Sequence, residues 1–286
     1  MRFEIFHEIK YEYSKPVFFD PHSFFLRPRQ DEHHRLLRFE MKIDPEPALQ
    51  WPLTDWFGNN PTGAWFQGVW EFMRVRVESE VEIVHPNPFD YVLEEPFLQL
   101  PARYPESAKK HLSIYLKESF PVVPAFKDFS DGVAAASEGW TTQFLTGLCR
   151  TLHSSFKKLY RPDGGPWPAA MTLERREGSC RDLTVLFIEC CRVQGLAARF
   201  TSGYFCDPGI ENGRPELHAW AEVYLEGAGW RGFDPTAGLV CGECHVPLAS
   251  ADEARQVSPV QGRFRGNDVA SRMETRVQFS RTPVSF

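Results

Sequence analysis

The stretch from Gly178 to Leu196, GSCRDLTVLFIECCRVQGL, decides the fold of the C-terminal part of the chain. Ser179 is a residue type that caps helices, and Asp182 three residues later completes a capping box, so a helix is predicted to begin at Cys180. The following residues are apolar on almost every side, which predicts a helix buried between two layers, and Gly195 is typical of the residue that ends one. Because the positive end of a helix stabilises a thiolate relative to a thiol, Cys180 is a candidate nucleophile.

A candidate base and a candidate carboxylate lie on a predicted hairpin further along the chain. Residues 217–225 have the aromatic and β-branched content of a strand, 226–229 are typical of a turn, and 230–235 predict a second strand. Antiparallel pairing therefore brings His218 and Asp234 to neighbouring strands. With the strands pairing symmetrically about the middle of the turn, Asp234 falls about three residues short of facing His218, which is about 10 Å along the ladder. Long side chains or a bulge would close this gap, and the sequence leaves the register open.

Each of these three residues also has an ordinary structural explanation. A lone cysteine is usually a buried thiol, a histidine on a strand is usually structural, and an aspartate before proline is usually a turn former. Together, Cys180 at a helix start, His218 and Asp234 supply a nucleophile, a base and a group that orients the base. The combination favours a catalytic site over three unrelated structural residues.

Short motifs along the chain resemble those of the transglutaminase-like superfamily. They are Gly-Ser-Cys-Arg-Asp at 178–182, His-Ala-Trp at 218–220 and Gly-Phe-Asp-Pro-Thr at 232–236, and both their order and their spacing match the family. Residues 195–204 resemble the passage from helix to strand between the first two motifs. Asp-Trp-Phe-Gly-Asn at 55–59 resembles the β-rich domain that precedes the core in bacterial members. The resemblance covers nearly the whole chain.

The resemblance implies an α+β fold, with an N-terminal antiparallel β-sandwich followed by a papain-like core in which a central helix packs on an antiparallel sheet. It implies that Cys180 is the nucleophile, that His218 is the base and that Asp234 orients the imidazole. The backbone N–H of Cys180 and a donor from Trp167 are candidates for stabilising the oxyanion.

The expected activity is acyl transfer through a thioester on Cys180, most simply by a cysteine peptidase or amidase acting on a peptide or protein amide. One alternative is a protein-glutamine transglutaminase, in which an amine accepts the acyl group. Another is a non-catalytic binding or scaffold protein that retains the triad.

The N-terminal part of the chain is predicted to be β-rich. Apolar and polar residues alternate with a period of two at 3–13 and again at 73–83, which predicts two half-buried strands. Further strand candidates at 24–26, 35–43 and 63–66 are separated by turn signals. We therefore predict a β-sandwich.

A change in composition marks the predicted domain boundary, because prolines and acidic residues follow the last of these strands. Beyond it, helices are predicted at 105–119 and 137–156, and a final strand at 276–279 is expected to return to either domain. The predicted organisation is a β-sandwich at 1–85, a linker at 86–104 and a transglutaminase-like catalytic domain at 105–286.

Composition limits the classes of partner and the compartment. The chain has 286 residues and a formal net charge of −6, which argues against a nucleic-acid surface. It contains no apolar run of about 18 residues and no signal segment, so we expect no membrane partner and a cytoplasmic location. Seven cysteines, an odd number, fit a reducing compartment better than a disulfide framework. The oligomeric state is not readable.

A competing motif lies at Cys241-Gly242-Glu243-Cys244-His245, which has the spacing of a c-type haem attachment site. Covalent haem attachment accompanies export, so this interpretation is disfavoured. A zinc site built from Cys241, Cys244 and His245 lacks an evident fourth ligand. No cofactor and no metal are therefore predicted.

Overall fold

The computed structural model describes residues 1–117, 124–161, 164–205 and 216–282, and these form the predicted α+β fold. The N-terminal strands are β1 (Arg2–Phe19), β2 (His22–Phe24), β3 (His34–Asp44), β4 (Leu49–Pro52), β5 (Thr62–Trp65) and β6 (Trp70–Ile83). The helices are α1 (Glu106–Leu116), α2 (Pro124–Ala136), α3 (Thr141–Ser155), α4 (Ala169–Arg175) and α5 (Cys180–Val193). The other strands are β7 (Lys157–Lys158), β8 (Glu177–Gly178), β9 (Ala198–Phe205), β10 (Glu216–Leu225), β11 (Gly229–Asp234), β12 (Leu239–Val240), β13 (His245–Ala251), β14 (Val260–Gln261), β15 (Phe264–Arg265) and β16 (Ser271–Thr282).

The first sheet is built around β1, which pairs antiparallel with β6, and β6 pairs in turn with β3. On its other side β1 pairs with β15 and with the whole 12-residue length of β16. Alternate residues point inward, so side chains such as Phe3, Ile5 and Val75 are buried. The strands predicted from alternation at 3–13 and 73–83 are confirmed.

A second, four-stranded sheet has the order β14-β2-β5-β4 and shares an apolar core with the first. Its Phe24 and the neighbouring Phe66 are buried in that core together with Val77 of β6. The strands predicted at 35–43 and 63–66 correspond to β3 and β5. The strand predicted at 24–26 shares only Phe24 with β2, which ends there, and β4 was not predicted.

The third sheet, with strand order β12-β11-β10-β9-β13, lies against α5. On its other side α5 contacts α2, α3 and α4, so Leu186, Phe187 and Cys190 are fully buried. The predicted helix between two layers is therefore confirmed. The helix predicted at 137–156 is confirmed as α3, and the one at 105–119 as α1, although its last residues lie outside the described ranges. Helix α2 was not predicted.

The N-terminal sheets and the α5-containing core are joined by buried polar contacts. The guanidinium of Arg29 donates to both carboxylate oxygens of Glu222 on β10, at 3.1 and 2.6 Å. The side-chain amide of Asn59 donates to the Ser250 carbonyl oxygen at 2.9 Å and accepts from its N–H at 2.8 Å. These contacts fasten β10 and β13 to the N-terminal part.

The C-terminal strands β14, β15 and β16 all pair with N-terminal strands, although they fall within the segment predicted as the catalytic domain. The strand predicted at 276–279 is confirmed, and it returns to the N-terminal sheet. The division into 1–85, 86–104 and 105–286 stays a prediction. The three C-terminal strands depart from it, because they belong to the sheets of the N-terminal part.

Candidate functional site

Helix α5 begins at Cys180, as predicted, and Ser179 is its N-cap. The buried carboxylate of Asp182 accepts the backbone N–H of Ser179 at 2.7 Å, which is the reciprocal bond of the capping box. The Cys180 side chain is partly exposed. The sequence pattern therefore sets the helix start, and it leaves one thiol accessible at the helix N-terminus.

Asp182 also anchors the loop that precedes α4. Arg161 Nη1 lies 2.7 and 2.6 Å from the two Asp182 oxygens, and the backbone N–H of Trp167 donates to Oδ1 at 2.7 Å. Burial acts to raise the pKa of Asp182, but the hydrogen bonds from Arg161, Trp167 and Ser179 outweigh it and hold the pKa below its usual value. The carboxylate thus fixes both the helix start and the loop beside it.

Trp167, a candidate oxyanion donor, is held in place by stacking. The guanidinium groups of Arg161 and Arg175 both stack on its ring, with Cζ atoms 4.3 and 4.7 Å from the ring centre. Since its backbone N–H is bound to Asp182, only its indole N–H remains as an oxyanion donor. That role stays a prediction.

The structure brings His218 and Asp234 together. His218 Nε2 donates to Asp234 Oδ2 at 2.8 Å, and both side chains are almost completely buried. The hairpin register pairs Phe233 with Ala221, so Asp234 lies two residues from His218 along the ladder, on the same face. The predicted gap of about three residues was wrong, because the strands pair one residue out of the predicted register.

Asp234 receives four hydrogen bonds. Its Oδ1 accepts the backbone N–H groups of Thr236 and Ala237 at 2.9 and 3.0 Å, and its Oδ2 accepts from His218 and, at 3.1 Å, from His245 Nε2. Burial acts to raise the pKa of Asp234, but the charge and hydrogen bonds of the two histidines outweigh it and lower the pKa well below the usual range. Asp234 is therefore a carboxylate at neutral pH.

The order of the elements along the chain predicts that Cys180 lies at the His218 end of the sheet. After α5 ends, the chain turns directly into β9, which begins at Ala198 and pairs antiparallel with β10. Helix α5 therefore runs parallel to β10, and its 14 residues span about 21 Å at 1.5 Å per residue. The ring of Phe187 stacks on Phe233 midway, at 5.8 Å. The approach of the Cys180 sulfur to the imidazole stays a prediction.

Comparison with known proteins agrees with this architecture. Residues 3–82 match the model of the bacterial transglutaminase-like N-terminal region, and residues 127–235 match the model of the transglutaminase-like superfamily. The chain belongs to the transglutaminase-like superfamily. The second match contains Cys180, His218 and Asp234.

The similar proteins found for this transglutaminase-like chain span nearly its full length. Uncharacterized proteins from Mycobacterium tuberculosis and Mycobacterium bovis are 27% identical over 295 residues, which covers 96% of this chain and 91% of each relative. A crystal structure from Cytophaga hutchinsonii, described as a candidate cysteine protease, has a TM-score of 0.70 at 18% identity and covers 100% of this chain and 92% of that one. This structure supports the fold.

One residue near the site of this transglutaminase-like protein was missed. His245 was considered only as part of the Cys241–His245 motif, yet its Nε2 donates to Asp234. In the described ranges, no three His, Cys, Asp or Glu side chains are grouped so as to hold a metal ion. No local sequence signal pointed to it, because His245 reaches the site through the pairing of β13 with β9, which places it opposite Phe205.

Other thiols of the transglutaminase-like core differ from Cys180. Cys149, Cys190 and Cys191 are buried, and burial raises the pKa of each. They are therefore unreactive packing residues. None of the helices in the described ranges combines the length and the apolar character that a membrane crossing requires.

Proposed function

We propose that this transglutaminase-like protein is a cysteine-dependent acyl-transfer enzyme, most simply a peptidase or amidase. In this proposal Cys180 is the nucleophile, His218 the base and Asp234 the residue that orients the imidazole. The observation that carries it is the buried 2.8 Å hydrogen bond from His218 Nε2 to Asp234 Oδ2. This bond assigns the exchange of a proton with Cys180 to the other ring nitrogen, Nδ1.

In the first step, the Cys180 thiolate attacks the carbonyl carbon of an amide. The C–N bond then breaks as the His218 imidazolium gives its proton to the leaving nitrogen. A thioester on Cys180 and a free amine, or ammonia, result. In the second step water gives a proton to His218 and its oxygen bonds to the acyl carbon. The C–S bond breaks, a carboxylic acid leaves, and the thiolate–imidazolium pair is restored.

The helix N-terminus supports this chemistry in two ways. The backbone N–H groups of the first turn have no partner within the helix, so that of Cys180 is a donor for the oxyanion. The same end of the helix dipole favours the thiolate over the thiol. The Asp182 hydrogen bonds hold this helix start in place, so its donors need no reorganisation during the reaction.

Alkylation tests whether Cys180 is activated. Iodoacetamide at pH 6 and mass spectrometry of each cysteine should show Cys180 modified at least about tenfold faster than Cys244, which is also partly exposed. Asp234→Asn should slow the modification of Cys180 relative to that of Cys244. Equal rates at the two cysteines in the wild type would reject the enzyme and favour a non-catalytic scaffold.

The acceptor of the acyl group is tested with a glutamine-containing peptide, with and without a primary amine. Hydrolysis predicts ammonia and a glutamate product whether or not the amine is present, and Cys180→Ser should abolish both. If the peptide is joined to the amine, and no ammonia is released when the amine is left out, the activity is transglutamination rather than hydrolysis. The same variant serves as the control in that case.

A further inference from the structure

Two imidazoles share one oxygen of Asp234. His218 Nε2 lies 2.8 Å from Oδ2 and His245 Nε2 lies 3.1 Å from the same atom. A carboxylate oxygen only accepts, so both Nε2 atoms carry hydrogen. The network therefore selects the Nε2–H tautomer for a neutral His245, as it does for His218.

His245 is enclosed by aromatic rings. The ring of Phe205 stands beside both imidazoles, with its centre 5.0 Å from that of His218 and 4.7 Å from that of His245, and Trp220 meets His245 edge-on at 5.1 Å. Burial lowers the pKa of His245, although the bond to Asp234 opposes this. His245 is thus a neutral donor at pH 7.

The strand that carries His245 is held from the N-terminal part of the chain. His34 Nε2 donates to the His245 carbonyl oxygen at 3.0 Å, and its Nδ1 lies 2.8 Å from Asp31 Oδ1. Arg29 in turn donates to Asp31 Oδ2 at 2.8 Å and binds Glu222 of β10. The backbone of His245, and with it the imidazole that donates to Asp234, is therefore held in place by residues of the N-terminal part.

We propose that His245 is a positioning residue which, by donating a second hydrogen bond to the Asp234 oxygen that holds His218, sets how strongly Asp234 stabilises the His218 imidazolium. This rests on the proposed function, in which that imidazolium is the proton donor. Because Oδ2 also accepts a hydrogen bond from His245, it stabilises the His218 imidazolium less than it otherwise would. The imidazolium is therefore a stronger acid toward the leaving amine.

The geometry gives the direction of the effect. Thr236 and Ala237 hold Oδ1, so the carboxylate does not turn when His245 is lost. The charge on Oδ2 is then available to His218 alone, and the imidazolium becomes more stable. A net hydrogen bond of about 1 kcal/mol corresponds to about 0.5 to 1 pH unit, a three- to tenfold change in the protonation constant.

Other titratable groups near this network do not replace His245. Burial raises the pKa of Cys149 on α3 and of Cys241 before β13, so both remain neutral thiols near Asp234. His153 of α3 binds the carbonyl oxygen of Thr236 rather than the carboxylate. The remaining charged groups nearby are ion-paired with each other: Arg29, Asp31, Arg199 and Glu222. His34 is hydrogen-bonded to Asp31 and to the His245 carbonyl oxygen.

The test compares His245→Met, which removes the donor, with His245→Gln, whose amide nitrogen replaces Nε2 at similar size. The titration of His218 is followed by NMR of the full chain without substrate. His245→Met should move the midpoint up by about 0.5 to 1 pH unit, and His245→Gln should keep it within about 0.2 unit of the wild type. No shift, a downward shift, or equal shifts in both variants would overturn the proposal.

A measurement on the wild type does not depend on the variants folding. Long-range ¹H–¹⁵N spectra should show His245 protonated on Nε2 at pH 7, and a proton on Nδ1 instead would overturn the proposal. Neither NMR experiment requires catalytic turnover. If Cys180 proves unreactive toward iodoacetamide, the proposed function fails while the assignment of His245 is still decided here.

Discussion

Replacement of Asp182 by Asn should strongly destabilise the protein, because this fully buried carboxylate has both oxygens occupied by donors. Its Oδ2 faces Arg161 Nη1 at 2.6 Å and the N–H and hydroxyl of Ser179, each at 2.7 Å. An amide with its oxygen at Oδ1 keeps the bond from Trp167 but turns an NH₂ group toward these three donors. The Ser179 hydroxyl can rotate to accept, whereas the two N–H groups cannot.

The expected loss follows from those two donors. Hydrogen bonds to a charged group contribute about 1.5 to 3 kcal/mol each, and breaking a buried ion pair costs about 3 to 5 kcal/mol. The side chain of Arg161 keeps 20% exposure, so the lower end applies, and we expect a loss of about 3 kcal/mol in the free energy of unfolding. At about 2 to 4 °C per kcal/mol, Tm should fall by about 6 to 12 °C.

The pH dependence provides a second check. The folded-state pKa of Asp182 lies below its unfolded value, so its contribution is full above about pH 4 and is lost as pH falls through the folded pKa. The difference in Tm between wild type and Asp182→Asn should stay constant from pH 7 to pH 5 and shrink below about pH 4. Melting followed by circular dichroism measures it, with exposed Asp128→Asn as the control expected to change stability by less than about 0.5 kcal/mol. A loss below 1 kcal/mol, or a difference that does not shrink as the pH falls below about 4, would refute the reasoning.

Three further predictions concern the core sheet and the site. Gly203→Ala should lower the free energy of unfolding by more than about 3 kcal/mol in a urea titration, because the alanine Cβ would lie 2.4 Å from the Val246 carbonyl oxygen. The control is Gly132→Ala on α2, which has open space around it and should be neutral or stabilising. Glu222→Gln should cost about 3 kcal/mol at pH 7. Since the pKa of Glu222 is lowered to about 2, this difference should vanish between about pH 4.5 and pH 2 in acid melts. Trp167→Phe should reduce kcat about 10²- to 10³-fold in a steady-state assay, and full activity would exclude its indole as the oxyanion donor.

The local signals in the sequence predicted the parts of the site that lie close together along the chain. The capping pair Ser179 and Asp182 is separated by one helical turn, so the sequence alone determined where α5 begins. Strand alternation located β1 and β6 in the same way. What these elements share is that their geometry depends on neighbours within a few residues.

The hairpin register could not be predicted, because two glycines, Gly227 and Gly229, are each able to adopt the positive φ that a tight turn requires, and both do so. The sequence therefore allows the turn to be centred at more than one position. Pairing of Leu225 with Gly229 selects the observed register. A shift of one residue would place His218 and Asp234 on opposite faces of the sheet, so the site depends on a choice that the local sequence leaves open.

His245 and β16 show a second limit. Both are positioned by strands distant in sequence: β13 pairs with β9, and β16 pairs with β1 across almost the whole chain. No local pattern encodes such pairing. For His245 the sequence instead offered a Cys-x-x-Cys-His motif, whose spacing is suited to a metal or haem although its histidine donates to Asp234.

The same long-range pairing gives the N-terminal part a structural role in the site. Val246 and Leu248 of β13, and Tyr204 of β9, are buried in the core that the N-terminal sheets share. Without those sheets, these three side chains would be exposed, at a cost of about 1.5 to 3 kcal/mol each for the aliphatic ones, and Glu222 would lose one of its two guanidinium partners. Strand β13 also carries His245, so the N-terminal sheets that bury the apolar face of β13 also fix the position of His245 Nε2, which donates to Asp234. The N-terminal part is therefore required for the geometry of the imidazole pair, even though it contributes no residue to the proposed triad.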